Sequence, residues 1–183
     1  MQASRENALK SKDYFIEFNK LSMGSNKFEF MLNDAFFASI EGSAISRANA
    51  TVELDLVKSE TMYDLHFTLN GTVGTTCDNC LDEIDLPIEN EFYLMMKISE
   101  NEDYSDDEIV YITKRLLEYD LSQYLYESFV LSIPHRVVCA MADKTCNEEI
   151  VSKINNFGDE EEDAKEDETN PMWDKLKGIF NKN

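Results

Sequence analysis

The four cysteines are the residues whose type and spacing point most directly to chemistry. Cys77-Asp78-Asn79-Cys80 sets two thiols across a two-residue gap, and Cys139 and Cys146 follow with six residues between them. A C-x-x-C at a tight turn puts two sulfurs on one side of the backbone, which is half of a tetrahedral zinc site. Cys139 and Cys146 complete the set if the chain returns to that turn, although a zinc ribbon would pair two C-x-x-C units. The expectation is one Zn²⁺ held by Cys77, Cys80, Cys139 and Cys146 in a closed structural site. The alternative is that Cys139 is a small buried hydrophobe after Val137 and Val138, and that Cys77 and Cys80 are remnants of a lost site. A redox role is disfavoured, because Asp78 beside the thiols opposes the thiolate and no βαβ pattern surrounds them.

Little else in the chain suggests catalysis. His66 lies on the outward face of a strand and is expected to be merely exposed. His135, close to Cys139, is a candidate alternative ligand or phosphate contact. The six glycines form no P-loop or dinucleotide fingerprint, and neither G-x-S-x-G nor H-E-x-x-H occurs. A non-enzymatic protein is expected.

Composition limits the partners. Against 17 basic side chains stand 37 acidic ones, a formal charge of -20, and a field of that sign repels phosphate over most of the surface. A broad basic nucleic-acid platform is therefore excluded. Two local basic clusters remain, Arg136, Lys144 and Lys153 near the cysteines and Lys175, Lys177 and Lys182 at the end of the chain. The first residues lack the apolar run of a secretory signal, and no stretch approaches the roughly 20 apolar residues of a membrane span. A cytoplasmic protein without membrane contact is expected, in which a disulfide framework would not persist.

The elements that must position the cysteines can be read from periodicity. Ala50, Val52, Leu54 and Leu56 alternate with polar residues, and Tyr63, Leu65, Phe67 and Leu69 repeat the pattern after the short Lys58-Ser59-Glu60 connection, as in a hairpin with one face in the core. Ile84, Leu86, Ile88, Phe92, Leu94, Met96 and Ile98 continue it. Residues 14 to 18 and 28 to 30 read as further strands, and Asn33 and Asp34 can cap a short helix that Gly42 ends. Asp120 begins a helix in which Leu121, Tyr124, Leu125, Ser128, Phe129 and Ser132 share a face, and Pro134 stops it. The fold class is mainly β within α+β: an antiparallel meander of five to seven strands over residues 14 to 112, with a few helices.

The boundaries follow from the same pattern. Residues 1–13 are a loose N-terminus, and 14–157 form the β-rich domain with the cysteine site. Residues 158–169 are an acidic disordered linker, with eight carboxylates and one lysine between Asp159 and Glu168. Residues 170–183 form a short tethered helix in which Pro171 suits the first turn. In that helix Trp173, Leu176, Ile179 and Phe180 can share a face, which either packs on the domain or enters a partner groove.

Taken in order, Cys77-x-x-Cys80-Leu81, Asp120-Leu121 leading through Glu127 to Leu131-Ser132-Ile133-Pro134 and Cys139, and then Asn170-Pro171 with Trp173 and Leu176, resemble the YceD family, named for accumulation of the large ribosomal RNA subunit. The resemblance implies a β-rich cytoplasmic factor that supports large-subunit (23S) rRNA accumulation or processing and ribosome assembly, with large-subunit rRNA or its precursor as partner. It carries over no catalytic residue. Two departures stand out: Asn79 occupies a position that is commonly Arg in the family, and only Cys146 remains where many members carry a further G-L-C-x-x-C-G cluster. RNA or partner contacts are expected from Arg136, Lys144, Lys153, Trp173, Lys175 and Lys177. The competing expectation is an acidic escort or adaptor, in which the carboxylate tracts shield a basic large-subunit ribosomal protein.

Overall fold

The computed structural model describes residues 14–99 and 109–162. The expected loose N-terminus, most of the acidic stretch after Ser99, the later part of the acidic linker and the Trp173 helix lie outside the described residues. Seven strands and three α-helices are formed within them: β1 (Phe15–Glu17), β2 (Gly24–Asn33), α1 (Asp34–Ser39), β3 (Ala48–Lys58), β4 (Met62–Thr76), β5 (Glu83–Ile98), β6 (Ile109–Ile112), β7 (Glu118–Asp120), α2 (Ser122–Leu131) and α3 (Glu148–Glu162). The main sheet has the order β2-β3-β4-β5-β6. Its first four strands are the antiparallel meander that the alternating pattern demands.

The period-two alternation fixes the register. Val52, Leu54 and Leu56 face Leu69, Phe67 and Leu65 across β3 and β4, and all six are essentially without solvent exposure. A one-residue slip would turn this whole set to water, so the pairing is strongly specified. Gly71 pairs with Ala50, where a Cβ on Gly71 would overlap Ala50 and the Asn49 carbonyl; glycine is needed there for close approach rather than for a turn. Burying the aromatic residues closes the layer above the sheet. Phe37 of α1 meets Phe129 of α2 with ring centroids 4.6 Å apart, Phe67 stacks on Phe92 at 4.8 Å, and Tyr124 leans on both. Such pairs contribute about 0.5–1.5 kcal/mol beyond the area they bury.

The helix starts are set locally. Asn33 Oδ1 caps α1 by accepting from the Phe36 N–H at 3.1 Å. The expected Asp120 cap is displaced by one residue, because Leu121 takes the N-cap position of α2 without a side-chain cap, while Asp120 Oδ1, just ahead of it, accepts from the Ser122 N–H at 2.8 Å. Gly42 follows α1 with a φ of 79°.

Two features differ from the expected pure meander. β6 runs parallel to β5, and β7, beyond residue 112, pairs with β1 in a separate two-stranded sheet. Each of these strands has only three or four residues, too few to show a period. The pairing of β1 with β7 seats Ile16, which has no solvent exposure, against the core. α3 also runs through Gly158 to Glu162, so the first five residues of the stretch expected to be a disordered linker are helical. Propagation along an existing helix adds one hydrogen bond per residue fixed, which a run of Asp and Glu does not forbid.

Candidate metal centre

β4 and β5 pair as far as Thr76 and Glu83, and the residues between them form the hairpin tip. There the Cys77 N–H donates to the Asp82 carbonyl and the Leu81 N–H to the Cys77 carbonyl, both at 2.9 Å. Leu81 adopts a φ of 62°, a left-handed conformation that an ordinary side chain takes only at some cost. This reversal turns the sulfurs of Cys77 and Cys80 the same way. The Asn79 N–H points at Cys77 Sγ at 3.4 Å.

The two residues between these cysteines hold the second half of the site. The Asp78 N–H donates to the Val137 carbonyl at 2.8 Å, and its carboxylate accepts from the Val137 N–H at 2.6 Å. Arg136 Nη2 donates to Asn79 Oδ1 at 2.9 Å. Residues 136 and 137 are thereby clasped to the tip, and Cys139 arrives two positions later. A single 3₁₀ turn, Cys139–Ala142, then leads to Asp143 in the left-handed region with φ 52°, and the Lys144 N–H closes on the Cys139 carbonyl at 3.0 Å. The six residues between Cys139 and Cys146 are the length of this reversal. Asn147 next caps α3 through the Glu149 N–H at 3.1 Å.

The result is a cluster in which all four Sγ atoms lie within 4.8 Å of one another. Cys80 and Cys139 sulfurs are 3.5 Å apart, and those of Cys77 and Cys146 are 3.8 Å apart. A tetrahedron of zinc–sulfur bonds of about 2.3 Å has edges of about 3.8 Å, so the donor set fits such an ion in number, element and separation. Cys77, Cys80 and Cys139 are fully buried and Cys146 is half-buried. The cluster can hold a metal ion.

Protonation is divided within the cluster. Burial pushes the Cys77 thiol up, but the backbone N–H groups of Asn79 and Cys80 and hydrogen bonds from Cys139 more than offset this and bring it to about 6. Burial, reinforced by the neighbouring thiols, holds Cys139 far above the ordinary range, and burial also raises Cys146. Several thiolates this close repel one another, so without a cation the cluster favours one negative charge over four. A bound divalent ion reverses that preference. This corrects the view that Asp78 opposes the thiolate: its carboxylate is engaged by Val137, and the groups facing Cys77 Sγ are donors.

The other candidates are placed as follows. His135 is exposed and is not among the converging ligand atoms, so it is not an alternative ligand in this arrangement. His66 is not merely exposed: its ring stacks on Tyr93 at 4.5 Å with an interplanar angle of 6°. Arg136 and Lys144 are exposed at the rim of the cluster, and Lys153 is exposed on α3. Trp173, Lys175 and Lys177 lie outside the described residues. Sequence reasoning missed Arg47, whose side chain crosses Gly74 and reaches Asp85 at 3.1 Å and Glu83 at 3.9 Å. It also missed the Asp78 clasp, because a contact across 59 positions leaves no local signal.

Fold and site together define a class: a mainly β domain whose longest hairpin carries a four-cysteine centre completed from a segment about sixty residues later. The family model described as large ribosomal RNA subunit accumulation protein YceD matches residues 65–180, and the chain belongs to that family. The matched stretch includes all four cysteines and both basic clusters except Lys182. No curated protein and no solved structure matches the chain. No helix among the described residues is long and apolar enough to cross a membrane.

Proposed function

We propose that this chain is a non-enzymatic cytoplasmic factor for large-subunit rRNA accumulation and ribosome assembly, and that its four cysteines hold one structural Zn²⁺. Four protein sulfurs fill a tetrahedral shell and leave no position for an activated water, so the ion staples rather than catalyses. What it staples is the basic segment. Arg136, Lys144 and the hairpin tip are brought onto one end of the domain by the same reversal that gathers the sulfurs. The observation that carries the reading is the Arg136–Asn79 contact at 2.9 Å, which sets a guanidinium against the residue between Cys77 and Cys80 within the family-matched region.

Arg136 there donates to a neutral amide, and neither Lys144 nor Lys153 forms an ion pair among the described residues. Their charge is available to phosphate, whereas that of Arg47 is spent on Asp85 and Glu83. Trp173, Lys175 and Lys177 are the further contacts proposed on the C-terminal segment. With so few cations each phosphate counts, and three contacts on a duplex give a salt slope of about 2.7 at about 0.9 per phosphate. Crosslinking in cells followed by sequencing tests the proposal: precursor large-subunit rRNA should be recovered with the natural protein and lost when Arg136, Lys144 and Lys153 are together replaced by Ala. Undiminished recovery with that variant would remove these residues from the interface, and recovery of no rRNA at all would remove the function.

A further inference from the structure

The face of the sheet turned away from α1 and α2 carries no covering element among the described residues. Register aligns its side chains in rows. Lys27, Asp55, His66 and Tyr93 follow one another across β2 to β5, and Glu29, Glu53, Thr68 and Glu91 form the next row. Beside the first row is a depression of about 660 Å³, bordered by Val57, Tyr93 and Met95 with Asp55, Asp64 and His66. Tyr93 is 67% exposed, Val57 44% and Met95 39%. Tyr124 of α2 donates to the Tyr93 backbone carbonyl at 2.6 Å, which anchors the main chain while the ring stays on the open side.

The charges on this face are unbalanced. Glu29 stands directly opposite Glu53, a like-charge pairing that destabilises a sheet. Neither residue, nor Asp64, has an ion-pair partner among the described residues. The one lysine in these rows, Lys27, is held by Asp55 at 3.1 Å. Glu91 has only His66 Nε2, at 3.8 Å, and that nitrogen is covered and without a hydrogen-bond partner. A surface of this kind repels phosphate and attracts cations, and an exposed tyrosine ring adds a cation–π platform for guanidinium or ammonium.

We propose that this sheet face is the docking site for a Lys/Arg-rich protein segment, one of whose apolar side chains fills the depression between Val57, Tyr93 and Met95 while its cations pair with Glu29, Glu53, Asp64 and Glu91. The site lies away from the hairpin tip that carries Arg136 and Lys144, and does not depend on the proposed rRNA contacts. Strand spacings of about 4.8 Å make each row about 14 Å wide, which suits four or five extended residues.

The test is fluorescence anisotropy of the full-length protein with a labelled dodecapeptide of Arg and Lys carrying one central Leu. Binding should weaken roughly tenfold for Tyr93→Ala and roughly fivefold for Glu29→Gln with Glu53→Gln. The second variant removes a repulsion, so it keeps its fold and its loss cannot be ascribed to unfolding. A control of equal charge, Glu148→Gln with Glu149→Gln on α3, should bind within about twofold of the natural protein, and a peptide with Ser in place of Leu should bind more weakly. Equal losses for the control and the face variants, or indifference to the Leu, would reduce the effect to net charge and overturn the proposal. Binding of single-stranded oligouridylate to this face in preference to the peptide, mapped by amide exchange on β2 to β5, would overturn it as well. Loss of rRNA recovery on substituting Arg136, Lys144 and Lys153 would leave this result untouched, so the two readings fail separately.

Discussion

The sheet and the cysteine end are held together by different forces acting over different distances. In β3 and β4 each side chain is specified by its neighbours two positions away, and stability comes from apolar burial spread over many side chains of both strands. At the hairpin tip, the clasp at Asp78 and, with the proposed ion bound, four sulfurs join segments about sixty residues apart, so the organisation rests on a handful of atoms. Distributed burial loses a fraction when one residue changes. A closed ligand set loses nearly all of its grip when one ligand is removed.

Metal removal should expose that difference most sharply. Structural zinc in comparable sites contributes on the order of 10 kcal/mol of apparent binding free energy, so a strong chelator, or Cys139→Ser, should abolish hydrogen-exchange protection of residues 136–147. Protection in β3 and β4 should persist. Simultaneous loss in both regions would show one cooperative unit, and elemental analysis finding no stoichiometric metal would withdraw the zinc.

Phe67→Ala probes the other side of the comparison. Phe67 is fully buried and stacked on Phe92, and its truncation should cost about 3–5 kcal/mol in urea unfolding while leaving metal stoichiometry unchanged. Next in size is Asp78→Ala, which leaves the Val137 N–H without its charged acceptor. A loss of about 1.5–3 kcal/mol is expected, concentrated in segment 136–147.

Acidity sharpens the same contrast. Because Cys139 and Cys146 are raised, both are protonated near neutrality in the metal-free chain, and binding must displace those protons. Metal affinity should therefore rise with pH and fall on acidification, by up to about tenfold per pH unit for each proton released. A chromogenic chelator competition across that range measures it, and a flat profile would show that the thiols are not the ligands. The smallest effect belongs to Arg136→Gln. Losing the exposed hydrogen bond to Asn79 should change stability by about 0.5–1 kcal/mol or less, even though the proposed rRNA contact would be weakened much more.

Some of this organisation is visible in the chain itself. Alternating apolar residues from Ala50 to Leu69 contain the hairpin and its register, since a strand has a period of two and only one face can be buried. Asn33 announces a helix start because capping is local, Asp120 marks the next start only to within a residue because Leu121 takes the N-cap position, and Pro134 announces an end. The type and number of the sulfurs likewise suggest a metal site, whereas their convergence within 4.8 Å is a matter of tertiary structure. Tertiary structure alone decided that Asp78 would clasp Val137, that Arg136 would lie against Asn79, that β7 would find β1, and that β6 would run parallel to β5. It also left Tyr93 and the Glu29–Glu53 pair on a face that no element among the described residues covers. Each of these is an encounter between residues distant in sequence or a matter of what fails to cover a surface, and neither leaves a periodic trace. Local chemistry is written in neighbouring residues; which distant segments meet is set by the packing of the whole chain.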